Sequence, residues 1–233
     1  MFPSSAELFA SDLQLKNVNK DKYLVKASEA SLSKTVDALQ AKKVKVTIVD
    51  TAPEALKVLT AEGGAIPSGA TVSNGGSTTL HQIGWTSHLQ NVKNADRHFH
   101  NMGEEIFAEK DMLKQTELRR KGLAADVFVS GVDAITEDGD ILAVDATGTR
   151  VGGWLACKTL VLVTSTHKIV PTYADAVKRV EEYSVPVESA RVRVAYKLPA
   201  SSANNWLALR GANPFAPFAR VHVIFIKDEV LGF

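Results

Sequence analysis

Apolar positions Leu32, Val36, Leu39 and Val44 recur at helical spacing along residues 28–42 and just beyond, with Ser28 or Ser31 placed to cap the first turn. The spacing predicts a helix there. Residues 44–49 (VKVTIV) then switch to a short β-branched run ended by Asp50, which suits a buried strand, and Pro53 opens a helix reaching about Glu62. The next unit, IPSGATVSNGGSTTLHQIGW, predicts a strand over 71–73, a glycine turn at Gly75-Gly76 and a helix from about Ser77. A helix is expected over 104–121 with Gly122 ending it, a strand over 126–130, and a hairpin turned by Asp138-Gly139. Residues 160–164 read as another short apolar strand and 173–183 as a helix with Ala174, Val177 and Val180 inward. A long loop over 198–217 precedes a last strand over 221–226.

Strands and helices that alternate in this way predict an α/β fold, a mainly parallel, Rossmann-like sheet with helices on both faces. The expected organisation is an N-terminal arm or short helix over 1–26 and a single domain over 27–233.

Composition narrows the picture. Hydrophobic residues make up 45% and charged residues 23%, which is ordinary globular usage. Lys plus Arg number 27 against 26 Asp plus Glu, so no global field favours nucleic acid or an anionic membrane. Cys157 is the only cysteine, which excludes an internal disulfide or an all-thiolate cluster, and its place before an apolar strand reads as a small buried side chain. Residues 1–20 lack the basic start and apolar core of a secretory signal, and no apolar run approaches spanning length. The expected location is the cytoplasm.

Two stretches can carry chemistry. Asn74, Gly75, Gly76, Ser77, Thr78 and Thr79 fall at a strand-to-helix turn, where glycines admit a ligand to backbone N–H groups and hydroxyls add donors for phosphate or carboxylate. A tight turn with Ser77 as a simple helix cap would look the same. The second stretch, GVDAITEDGD followed by DATGTR, puts Asp133 and Glu137 beyond a strand end and leads to Asp145, Thr147, Gly148, Thr149 and Arg150. Carboxylates there can move a proton and an arginine can clamp an anion, although Asp138 reads as hairpin and Asp145 can equally serve as a turn acceptor. His81, His88, His98 and His100 lie close in sequence, but no carboxylate spacing completes a metal pattern, and no metal or other cofactor is expected. The segment NPFAPFARV, with Phe215 and Phe218, reads as core packing, with a lid over the cleft or a subunit contact as the alternative.

The stretches IPSGATVSNGGSTTLHQIG, ADVFVSGVDAITEDGDILAVDATGTRV, HKIVPTYADAVKRV and RVHVIFIKDEVLGF resemble successive segments of LUD (lactate utilisation) domain proteins. That family is similar to a broader α/β group of sugar-phosphate isomerases and CoA-transferase-like proteins. The resemblance implies an acid/base role for Asp133, a phosphate-loop role for residues 75–79 and a supporting role for residues 147–150, and it matches Lys168 to a lysine of the family pattern. Asp133 and Thr149 stand where the bacterial pattern has asparagine, His167 replaces another, and residues 198–217 lack the cysteine-rich segment of those relatives. A metal or redox role tied to those cysteines therefore does not carry over.

Residues and resemblance together imply a protein that binds a small anionic metabolite and catalyses proton-transfer isomerisation or ring opening. Asp133 would be the acid/base, Glu137 or Asp145 its partner, and Lys168 and Arg150 the clamps. The alternative is a non-catalytic accessory protein of lactate or organic-acid utilisation, working as a homodimer or beside a partner subunit.

Overall fold

The computed structural model describes residues 3–211, 215 and 219–233. Its strands are β1 Lys45–Val49, β2 Thr71–Asn74, β3 His100–Asn101, β4 Val127–Gly131, β5 Ala134–Thr136, β6 Ile141–Asp145, β7 Thr159–Ser165, β8 Ile169–Val170, β9 Asn205–Leu209 and β10 Val221–Ile226. Six of them form a wholly parallel sheet in the order β1-β10-β7-β4-β2-β3. The other four make a second sheet, β8-β5-β6-β9, in which β6 runs antiparallel to both neighbours.

Alternation along the central strands sorts their side chains between two cores, because successive residues of a strand point to opposite faces. Val127, Val129, Val161, Val163, Ile224 and Ile226 meet helices Ala52–Thr60, Thr78–Gln82 and Trp85–Asn91 on one face. Phe128, Leu160, Leu162, Val223 and Phe225 meet helices Glu29–Ala41 and Thr149–Ala156 on the other, together with Ile135, Ile141 and Ala143 of the second sheet. Both faces are covered, so the strands read as continuous apolar runs.

The Phe128 ring packs onto the backbone of the helix Thr149–Ala156 at Gly153, where a Cβ would lie 2.3 Å from a ring carbon. Gly153→Ala is therefore expected to lower stability by about 1–3 kcal/mol, the usual cost of overpacking, as a shifted midpoint in chemical denaturation with an unchanged slope.

Several expectations need correction. β1 is an edge strand and only half-buried, since β10 is its sole neighbour. The helix expected over 104–121 is two, Met102–Ala108 and Met112–Leu123, because the Asp111 carboxylate accepts the N–H groups of Leu113 and Lys114 and starts a new helix. The inward face of Tyr173–Arg179 is set by Ala176 and Arg179, with Ala174 exposed. A π-helical turn, Val180–Ser184, leads on into the helix Val185–Tyr196, whose Pro186 sits harmlessly in the first turn. β9 emerges from what reads as loop in the sequence, while most of the suggested lid, including Phe218, lies outside the described residues and Phe215 is exposed.

The N-terminal segment is docked. Leu8, Leu15 and Tyr23 pack on Tyr183, Val187 and Ala190, and both Lys22 and the Tyr23 hydroxyl donate to Glu182. Among the described residues no helix is long and apolar enough to cross a membrane.

Candidate functional site

Three turns leave the carboxyl ends of neighbouring parallel strands and converge. After β2 come Gly75 to Thr79, after β4 come Val132 and Asp133, and after β7 a 3-10 turn carries Thr166–Lys168. Parallel α/β sheets place ligand crevices at these ends. A cavity of about 370 Å³ opens there, and Gly76, Ser77, Thr78, Thr79, Asp133, Asp145, Thr147, Thr149, Arg150 and Lys168 all line it.

Ser77 caps the helix Thr78–Gln82 by accepting the Leu80 N–H, so the capping role and the cavity-lining role coexist. Gly131 must lack a side chain, because a Cβ there would stand 2.5 Å from the Ser77 Oγ. Asn74 and Gly75 lie behind the turn, and Gly148, at φ 83°, starts the helix Thr149–Ala156. None of these three lines the cavity.

Asp133 is almost fully buried and Arg150 reaches it. Its Oδ2 accepts from Arg150 Nη1 at 2.8 Å and from the Val144 N–H at 2.8 Å, while Oδ1 accepts no hydrogen bond among the described residues. Arg150 also donates to the carbonyls of Val144 and Gly76, so it braces β6, Asp133 and the glycine turn against one another. Asp145 lines the cavity but uses both oxygens on the protein. It accepts from the N–H groups of Gly148 and Val151 and from Asn205 Nδ2. Burial alone would raise its pKa, but the donors from Val151, Gly148 and Asn205 hold it below the usual value, as suits a permanent turn acceptor.

Glu137 is not brought to the cleft. It follows β5, and its carboxylate takes the Ser31 hydroxyl at 2.7 Å and Lys34 Nζ at 3.1 Å from the helix Glu29–Ala41. The expectation that Glu137 partners Asp133 is corrected on that ground. His88 and His98 both pack against Phe99, with His98 also on the Ile66 carbonyl and His88 on Trp85, while His100 pairs with Glu105. Among the described residues no three His, Cys, Asp or Glu side chains gather as a metal site would require. Cys157 is buried, which pushes its thiol pKa up.

Lys168 is the unusual group. It is buried, and its Nζ donates to Thr79 Oγ1 at 3.2 Å and to the Val132 carbonyl at 3.1 Å. Burial lowers its pKa to about 7, Arg179 and Arg150 push the same way, and Asp133 opposes them. Arg179 carries no legible ligand-binding motif in the sequence. It is wholly buried, donates to the Asp133 main-chain carbonyl at 2.7 Å and to Ser184 Oγ at 2.8 Å, and stacks over the Tyr183 ring. Burial lowers even this guanidinium, to about 10. The sequence signal that could have found it is its spacing: Arg179 falls on the same helical face as Ala176, Val180 and Tyr183. The far wall comes from Ser184 and the helix Val185–Tyr196, where Arg191 pairs with Glu188 at 2.6 Å.

A parallel sheet flanked by helices, with a cleft at its strand carboxyl ends, defines an α/β protein of the Rossmann-like kind. The chain belongs to the LUD domain family, whose sequence pattern matches residues 32–226. Its fold is similar to the crystal structure of a DUF162 family protein from Deinococcus radiodurans, at 15% identity and a TM-score of 0.50, covering 86% of this chain and 99% of that one. No curated protein matches the sequence significantly.

Proposed function

We propose that the cleft binds a small anionic metabolite, carboxylate or phosphate, and that Lys168 is the group that carries a proton during its conversion. The observation that supports this most is the charge balance around the cavity. Arg150, Arg179 and Lys168 stand around the carboxylate of Asp133, while Arg191 pairs with Glu188 and the Asp145 carboxylate is directed to the neutral donors Gly148, Val151 and Asn205. An anion seated beside Arg150 and Lys168 would compensate this local excess of positive charge.

A proton carrier works best with a pKa near the operating pH, and Lys168, at about 7, meets that condition. Asp133, with one oxygen committed to Arg150, serves in this reading as its counter-charge.

Thermal shift with inorganic phosphate, sugar phosphates and small carboxylates tests the reading, in wild type and in Gly76→Asp. A Cβ at Gly76 meets nothing within 4 Å, so aspartate adds negative charge without a clash. The expected result is saturable stabilisation of wild type, about 2.7 kcal/mol at a hundred times Kd, and its loss in the variant. Failure of every anion to stabilise wild type overturns it.

A further inference from the structure

A lysine buried in a cavity wall has two uses for its nitrogen, as a charged donor or as a neutral amine, and its hydrogen-bond partners bear on the choice. Two N–H bonds of Lys168 are spoken for, one by Thr79 Oγ1 and one by the Val132 carbonyl. Thr79 Oγ1 accepts from Nζ and has the Leu231 carbonyl at 3.4 Å as an acceptor for its own hydrogen. Among the described residues no side-chain carboxylate lies within salt-bridge distance of Nζ, and the ring of charge beyond it is mostly positive. A neutral amine has two hydrogens and one lone pair. In that form the wall accepts both hydrogens, and among the described residues no donor beyond these partners engages the lone pair.

We propose that Lys168 is a nucleophilic amine that forms an imine with the carbonyl carbon of a small oxo acid bound in this cavity. The inference rests on the anion-binding reading above and narrows its ligand to a carboxylate that also bears an aldehyde or ketone. The cationic surroundings draw in the carboxylate, and the unprotonated amine meets the carbonyl.

The step balances without a further reagent. The Nζ lone pair forms the C–N bond as the carbonyl π pair moves to oxygen. One proton passes from nitrogen to that oxygen to give a carbinolamine. A second proton makes the hydroxyl a leaving group, water departs, and loss of the remaining N–H proton leaves the imine, so that amine plus carbonyl becomes imine plus one water. Nothing is oxidised or reduced. Protonated, the C=N draws electrons from the neighbouring carbon more strongly than the carbonyl did, the usual reason for carrying a substrate on lysine.

Reactivity should be selective. At pH 7 an ordinary lysine is neutral roughly once in 2,500 molecules and a lysine of pKa about 7 half the time. On neutral fraction alone Lys168 is favoured over an ordinary lysine on the order of a thousandfold.

The experiment uses the intact protein with pyruvate as probe and cyanoborohydride to reduce any imine, read by intact mass and peptide mapping. The expected result is one pyruvate-derived adduct per chain on Lys168, suppressed by excess propionate, which has the carboxylate but no carbonyl, and absent from Lys168→Met. Peptide mapping locates the adduct in wild type even if that variant folds poorly. Adducts spread over surface lysines with Lys168 unmodified, in protein that propionate or phosphate still stabilises, overturn the imine and leave anion binding standing. Neither adduct nor stabilisation overturns both.

Discussion

Exchanging Lys168 for methionine is expected to yield a protein that is more stable than wild type when empty and no longer responds to anions. Methionine keeps the length of the side chain and removes the ionisable group. The lysine's pKa is about 7 in the fold and that of an ordinary exposed lysine in the unfolded chain. Around it stand Arg179 from the helix Tyr173–Arg179, Arg150 from the helix Thr149–Ala156, Asp133 after β4 and the buried His167 of its own turn, which burial and both neighbouring cations keep neutral.

Below pH 7 Lys168 is charged in both states, so the whole penalty of burying it is present. Each tenfold loss of proton affinity on folding costs about 1.4 kcal/mol, which brings the penalty to several kcal/mol. Between pH 7 and about 10.4 the unfolded chain holds the extra proton, so wild-type stability rises with pH and the penalty fades. The methionine variant lacks that rise, although it loses the donor to the Val132 carbonyl at about 1–3 kcal/mol. Its advantage should be greatest near pH 6 and vanish by pH 10, read as Tm or denaturant midpoint against pH. A variant gap that stays flat with pH would show that folding leaves the proton affinity of Lys168 unchanged.

Asp133→Ala should do the opposite and destabilise at neutral pH. It removes the acceptor of both Arg150 Nη1 and the Val144 N–H, and it leaves Arg150, Arg179 and Lys168 without the carboxylate that stands among them. Breaking a buried pair from one side typically costs about 3–5 kcal/mol, and for a chain of this size Tm falls by about 2–4 °C per kcal/mol. Asp133→Asn keeps an oxygen for Val144 and should lose less. It also removes the charge that favours the protonated form of Lys168, so the Lys168 pKa should fall further. A loss under about 1 kcal/mol for the alanine variant would mean that the pair behaves as a solvated surface bridge.

Much of the site is legible because its signals are local. Gly75-Gly76 between a strand and a capped helix, Asp133 just past β4 and Lys168 just past β7 each declare a strand's carboxyl end, and parallel strands bring those ends together. Glu137 escapes such reasoning on geometric grounds. It is separated from Asp133 by β5, and three strand residues carry the chain about 10 Å onward, here to the helix Glu29–Ala41.

Arg179 is hidden by its charge. A helix face is usually assigned by its apolar members, and setting it on Ala174 and Val177 turns this arginine toward solvent. The π turn that follows depends on i→i+5 bonding that no single residue announces. β9 is specified by its partner, since the register of Asn205 to Leu209 against β6 is what makes a strand of a segment bordered by Ser, Ala and Asn.

The strand order also has a bearing on how the chain comes together in time. β10 lies between β1 and β7, and Lys45 finds its partner only in His222. Until residues 221–226 insert, β1 has no strand beside it, β7 presents an open edge, and Val223 to Ile226 are missing from both cores at once. Closing loops of this length precedes any reward from the contacts they allow, so completion of the middle of the sheet is expected to follow the more local contacts. A sheet lacking β10 would carry two unpaired edges lined with valine and isoleucine, the kind of surface that joins other copies when chains are crowded.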